Sequence, residues 1–276
     1  MSSPNPLPLD RSRLLIGMIH LPALPGAPAH DAPMDAILER VDHDARALTA
    51  AGFDAVLVEN YGDTPFHPEQ VPPETVAALT RAVSVAIAAA PNHPVGVNVL
   101  RNDARSALGI AAATGASFIR VNVHTGSMYT DQGLLTGRAW QTLRLRRALN
   151  LDCAILADVM VKHATPPAGA TLDDAALDLW ERGRADAVIV SGAGTGRPTD
   201  PTRISRLRAL LPCAPLLVGS GATRDSARSL LGAGASGLIV GSWVQAGGRA
   251  GSGVDPERAS RFVEAVRSVP PTVGID

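Results

Sequence analysis

Residues 51–60 read A-G-F-D-A-V-L-V-E-N. The glycine follows a helical pattern in which Ile37, Val41, Ala45 and Leu48 recur at spacings of four, four and three. A glycine just past a helix supplies the left-handed residue that ends it. Phe53 and Asp54 then lead into an apolar run that closes on two polar side chains, Glu59 and Asn60. Helix, glycine, strand and polar strand end make one αβ unit. Similar text recurs as T-G-A-S-F around Gly115, R-G-R-A-D-A around Gly183 and A-G-A-S-G around Gly234, so each of these glycines is expected in the left-handed conformation.

Outward from that unit, eight aliphatic runs can be counted: LLIGMIH (14–20), AVLVEN (55–60), VGVNVL (95–100), FIRVNVH (118–124), CAILADV (153–159), AVIVSG (187–192), PLLVGSG (215–221) and GLIVGSW (237–243). They are apolar on both faces, as parallel strands covered by helices must be. Their starts lie roughly 20 to 40 residues apart, room for one helix each. Eight right-handed βα units close into a (β/α)8 TIM barrel, an α/β fold of a single domain, whereas an open doubly wound sheet needs no eighth unit. The barrel is expected over 14–268, with 1–13 as an N-terminal extension and 269–276 as a C-terminal tail.

Composition narrows the partners. The chain has 276 residues, 46% of them hydrophobic but only 3% aromatic, so the core is built from Ala, Val, Leu and Ile. A formal charge of −1 gives no electrostatic footprint for nucleic acid or an anionic membrane. Two isolated cysteines, Cys153 and Cys213, fit neither a disulfide framework nor a zinc site. No signal-like segment and no apolar run of membrane-spanning length is present, so a cytoplasmic protein without membrane insertion is expected, with homo-oligomerisation left open.

Four connections are long and rich in Pro, Gly and polar residues: those after the first, second, fourth and fifth runs, namely LPALPGAPAHDAP, YGDTPFHPEQVPP, TGSMYTDQGLLTG and 160–171. In this fold they all lie at the C-terminal face, where sites are built. The catalytic candidates there are His20, Glu59, Asp158, Lys162 and His163. Asn60, Asn98, Arg101, Asn122 and His124 are candidates for holding substrate, although Asn98, Arg120 and Asn122 would also serve as structural hydrogen-bonding groups at the barrel's edge. Glu59 or Asp158 would be the general base. A divalent ion held by His20, Glu59 and Asp158 is an alternative use of the same residues.

Lys162 is the only lysine; the other 24 basic side chains are arginine. A lysine can lose its proton when desolvated and can then attack a carbonyl, whereas an arginine stays charged. Its place four residues beyond Asp158 and next to His163 argues for a role, foremost as a cation pairing with substrate oxygen.

The last three strand ends carry small residues instead. Ser191, Gly192, Gly194, Thr195 and Gly196, then Gly219, Ser220 and Gly221, then Gly241 and Ser242 are expected to converge as a phosphate cradle, since backbone N–H groups at these ends commonly hold that anion. No P-loop, no dinucleotide fingerprint and no H-E-x-x-H are present.

IGMIHLPALPGAP, VLVENYGDTPF, PVGVNVLRND, FIRVNVHTGSMYTDQGLLTG, ILADVMVKHA, ADAVIVSGAGTG and GLIVGSW resemble the successive motifs of the BtpA/SgcQ family, from about Leu14 to Phe262. The family is similar to ribulose-phosphate-binding barrels, so the resemblance implies a TIM barrel and a phosphate site. One of its branches is named for biogenesis of photosystem I, and another is associated with carbohydrate utilisation; it supplies no accepted catalytic set. Q-A-G-G at 245–248 departs from the Lys and Asp-Gly common there. Two functions follow: an enzyme (lyase, isomerase or hydrolase) acting by acid/base chemistry on a small phosphorylated sugar or nucleoside-derived substrate, or a non-catalytic assembly factor for a membrane complex.

Overall fold

The computed structural model describes residues 5–192 and 199–268. Its strands in chain order are β1 (Leu14–His20), β2 (Ala55–Glu59), β3 (Val95–Asn98), β4 (Phe118–Val121), β5 (Ser127–Thr130), β6 (Gly133–Thr136), β7 (Ala154–Val159), β8 (Ala187–Val190), β9 (Leu216–Val218) and β10 (Gly237–Val240). The helices are α1 (Met34–Ala51), α2 (Pro73–Ala89), α3 (Ala104–Thr114), α4 (Ala139–Ala148), α5 (Leu172–Leu177), α6 (Pro201–Leu210), α7 (Arg224–Gly232) and α8 (Pro256–Arg267). All strands except β5 and β6 close into one parallel barrel in the order β1-β10-β9-β8-β7-β4-β3-β2. The eight runs of the sequence are the eight barrel strands.

Alternation along each strand sorts the core into two regions. Leu15, Val56, Val97, Ile119, Ile155, Val188 and their like point outward and pack under the helices. Leu14, Ile16, Met18, Ala55, Leu57, Phe118, Leu156, Ala187, Ile189, Leu217 and Ile239 point inward and fill the barrel. Leu7, from the segment before β1, joins this interior cluster. One ring supplies much of the filling, because Phe118 occupies the space above Gly96, where any added Cβ would run into it. Gly96→Ala is therefore expected to destabilise the barrel by about 1–3 kcal/mol through overpacking, readable as a lower denaturant midpoint at unchanged slope.

One expectation needs correction. Gly52, Gly115 and Gly234 have φ of 97°, 82° and 105°, but Gly183 does not take the left-handed conformation: its φ is −73°. A π-helical turn, Asp178–Arg182, continues α5 and adds one residue, which moves the positive φ (51°) to Arg184. Gly183 is small for another reason, since a Cβ there would lie 2.6 Å from Thr125 Cγ2 and 2.8 Å from Leu179 O. The long connection after the fourth run, TGSMYTDQGLLTG, holds regular structure of its own: β5 and β6 form an antiparallel hairpin, turning at Asp131-Gln132 with Gly133 at φ 98°.

Candidate active site at the barrel mouth

The inward positions change character at the C-terminal ends of the strands. Backbone register pairs His20 with Glu59, Glu59 with Asn98 and Asn98 with Arg120, so four inward polar side chains stand side by side across β1 to β4. The next partner in that line is Leu156, and Asp158 lies two residues further up β7. All five polar groups are buried. A buried polar layer of this kind has to satisfy itself or be completed by a ligand.

On one side, Glu59 accepts a 2.6 Å hydrogen bond from Asn98 Nδ2, and its other oxygen lies 3.6 Å from His20 Nε2. Burial by itself raises the Glu59 pKa, but the Nε2 edge of His20, the cations Arg120 and Lys162, and the Asn98 amide outweigh it, so the carboxyl is held below its ordinary value. His20 is pushed down by burial, against the attraction of Glu59. Its ring lies 4.6 Å from that of Tyr61, tilted by 35°, and its Nδ1 lies 2.8 Å from Gln245 Nε2. Gln245, fully buried, was not a site candidate in the sequence. Its signals in the sequence are its location, five residues beyond the last strand, and the departure of Q-A-G-G from the family pattern.

On the other side, Asp158 is held by a two-pronged pair with Arg120, Nε to Oδ2 at 2.9 Å and Nη2 to Oδ1 at 3.0 Å. Ser191 Oγ lies 2.7 Å from Oδ1, and Asn122 Nδ2 donates to Oδ2 at 3.4 Å. Both oxygens of Asp158 are thus engaged, and its side chain has no exposure. A carboxylate clamped by a guanidinium is poorly suited to take a proton from substrate or to ligate a cation. Asp158 reads as the anchor of Arg120. The donor set does not fit the divalent ion considered above, and among the described residues no group of three or more His, Cys, Asp or Glu is arranged to hold one.

Lys162 and Arg101 complete the charge cluster. Arg101 Nη2 donates to the Lys162 carbonyl at 2.8 Å, tying the loop after β3 to the loop after β7. Among the described residues the Lys162 ammonium forms no hydrogen bond or ion pair. Burial lowers its pKa, repulsion by Arg120 and Arg101 adds to this, and the attraction of Glu59 and Asp158 opposes it. Asn122 Oδ1 is buried beside this cluster with no partner among the described residues. His163 is exposed, with φ 56°.

Other candidates prove to brace the frame. Asn60 accepts from Leu100 N at 2.7 Å and donates to Asp63 at 3.0 Å and to Leu100 O at 3.4 Å, which leaves it little for a substrate. His124 turns away from the mouth and uses Nε2 on Gly183 O at 2.9 Å. Gly219 and Gly241 are small for packing reasons. A Cβ at Gly219 would overlap Ile189, and one at Gly241 would lie 2.7 Å from His20 Cε1. Ser191 is tied to Asp158 and to Gly219 O at 2.9 Å. Gly192 is buried, whereas Ser220, Gly221 (φ 67°) and Ser242 are partly open. Gly194, Thr195 and Gly196 lie outside the described residues.

A model of the BtpA family matches residues 11–268. The chain belongs to the BtpA family. A relative within it, the photosystem I biogenesis protein BtpA of Synechocystis, is 44% identical over 256 residues, covering 91% of this chain and 87% of its own. Among solved structures, KGPDC from Streptococcus mutans superposes with a TM-score of 0.61 at 11% identity, over 93% of this chain and 98% of that one. N-(5'-phosphoribosyl)anthranilate isomerase from Pyrococcus furiosus gives 0.54 at 16% identity, over 93% and 100%. At such identities these structures show the barrel fold alone. No helix among the described residues is long and apolar enough to cross a membrane.

Proposed function

We propose that this BtpA-family barrel is an enzyme that moves a proton on a small phosphorylated sugar or nucleoside-derived substrate, with Glu59 as general base. The observation that carries this reading is the imbalance of the buried mouth. Arg101, Arg120 and Lys162 face Glu59 and Asp158 there, three positive charges against two negative ones with His20 neutral. One of those cations, the Lys162 ammonium, has no hydrogen-bonding partner among the described residues, and the acceptor Asn122 Oδ1 beside the cluster is likewise unpaired. An anionic, hydroxylated ligand satisfies both at once.

Roles follow from what each group has left to give. Glu59 keeps a basic oxygen toward His20 and the mouth. Lys162 supplies charge to a substrate oxygen, and Arg101 has guanidinium donors beyond the one on the Lys162 carbonyl. Ser220, Gly221 and Ser242, at the ends of the neighbouring strands β9 and β10, are the part of the cradle proposed to hold phosphate. The phosphoribosyl substrate in the name of one structural neighbour supports this division. A non-catalytic part in assembly, which the name of the Synechocystis relative raises, gives no reason to gather five charges, four of them buried and Lys162 half-buried, at one end of the barrel.

The test is a panel of sugar phosphates and nucleoside phosphates, followed by solvent deuterium incorporation and by product formation. Lys162→Arg is expected to lower kcat/KM by about a hundredfold or more on the active substrate, because the planar fork cannot occupy the place of an ammonium. An arginine variant with full activity would remove Lys162 from the site. Failure of the native chain to bind or turn over any member of the panel would remove the whole reading.

A further inference from the structure

The side-chain amide of Gln245 has a defined orientation. Its Oε1 lies 2.6 Å from the backbone nitrogen of Gly251, and an N–H group can only donate, so the oxygen must be at this end. The NH2 end then faces Nδ1 of His20 at 2.8 Å, with Met18 O at 3.4 Å. An amide NH2 donates and does not accept, so Nδ1 carries no proton and the neutral ring must hold its proton on Nε2. That nitrogen is the one 3.6 Å from Glu59 Oε1. The loop that carries Gln245 is itself pinned: Ala246 N donates to Gly253 O at 2.9 Å, and Asp255 N donates to Val244 O at 2.9 Å.

We infer that Gln245 is a positioning residue that fixes His20 as its neutral Nε2–H tautomer, so that His20 serves the mouth as an N–H donor and Glu59 alone serves as base. The assignment of roles rests on the enzymatic reading above; the tautomer does not. Every group facing the ring fits a neutral donor. Glu59 Oε1 on β2 lies 3.6 Å from Nε2, Tyr61 covers one face, and Gly241 after β10 lies close against Cε1. Burial opposes a second proton most, against the attraction of Glu59 and the hydrogen bond of Gln245, and Lys162 after β7 and Arg120 on β4 repel it as well. A neutral imidazole in this place can donate to a substrate oxygen as negative charge develops on it, without removing the proton acceptor next to it.

The test uses the full chain, free of ligand, with nitrogen-15 in the histidine rings and His20 assigned by its loss in His20→Gln. The native protein is expected to show an unprotonated Nδ1 and a protonated Nε2 at neutral pH. Gln245→Glu keeps an acceptor for Gly251 N–H but replaces the donor by a second acceptor, so Nδ1 should gain a proton and the titration midpoint of His20 should rise by about one to two pH units. A protonated Nδ1 in the native protein would overturn the inference, as would an unchanged midpoint in the folded variant. If the variant does not fold, the native spectrum decides by itself. Neither readout needs turnover, so an active Glu59→Gln enzyme would sink the choice of base and leave the tautomer standing, while a wrong tautomer would leave Glu59 untouched.

Discussion

Glu59→Gln is expected to lower kcat by about two to four orders of magnitude, the usual worth of a positioned general base, while the affinity for a phosphorylated substrate changes by less than about threefold. Glutamine has the size of glutamate, and its carbonyl oxygen can still accept from Asn98, the partner 2.6 Å away. Basicity is what it lacks. Because Arg120 and Lys162 help to hold the Glu59 carboxyl below its ordinary value, the base is ionised throughout the neutral range. The acid limb of kcat/KM should therefore fall only below the ordinary carboxylate pKa of about 4.3. Stability should respond earlier. His20 has a depressed pKa in the fold, so below about pH 6.5 the unfolded chain binds the extra proton and stability declines as pH drops. A variant retaining more than a tenth of native kcat would take the role of base away from Glu59.

Arg120→Met is expected to cost about 3–5 kcal/mol of folding free energy, the largest effect on stability anticipated here, because it leaves the Asp158 carboxylate buried without its counter-charge. The pair is bidentate, and the two side chains are only 5% and 0% exposed. Removing both charges should be milder than removing one. The double variant Arg120→Met with Asp158→Asn keeps an acceptor for Ser191 and should recover part of the loss, giving a favourable coupling energy in a double-mutant cycle of urea denaturation. Strict additivity of the two single changes would mean that the pair does not act as a unit.

Much of the site was legible as position rather than as role. His20, Glu59, Asn98 and Asp158 were found because an acid, an amide or an imidazole at the end of a buried strand has to be explained, and the structure places all four on inward positions of the mouth. Asn60 and His124 satisfy the same rule, yet both turn to the loops: one and three residues past their strand ends the chain has left the sheet, and strand alternation no longer says where a side chain points. Arg120, a structural hydrogen-bonding group at the barrel's edge by its place in the sequence, is the counter-ion of Asp158. Gln245 stands out in the sequence only as part of the departing Q-A-G-G, and nothing local ties it to His20, which lies 225 residues earlier in the chain.

The sequence by itself determined the barrel. Eight two-faced apolar runs, helices with one buried stripe and glycines at four of the helix ends are local patterns, and a parallel sheet closed by eight units is the one arrangement that buries them all. Tertiary structure alone decided which carboxylate is clamped by a cation. Glu59 and Asp158 are both acids near the ends of buried strands, and what separates them is who arrives from elsewhere: a neutral amide and an imidazole at Glu59, a guanidinium at Asp158. The protonation of a buried group is set by the charges and donors within a few ångströms of it, and in a closed barrel those come from strands far apart in the chain.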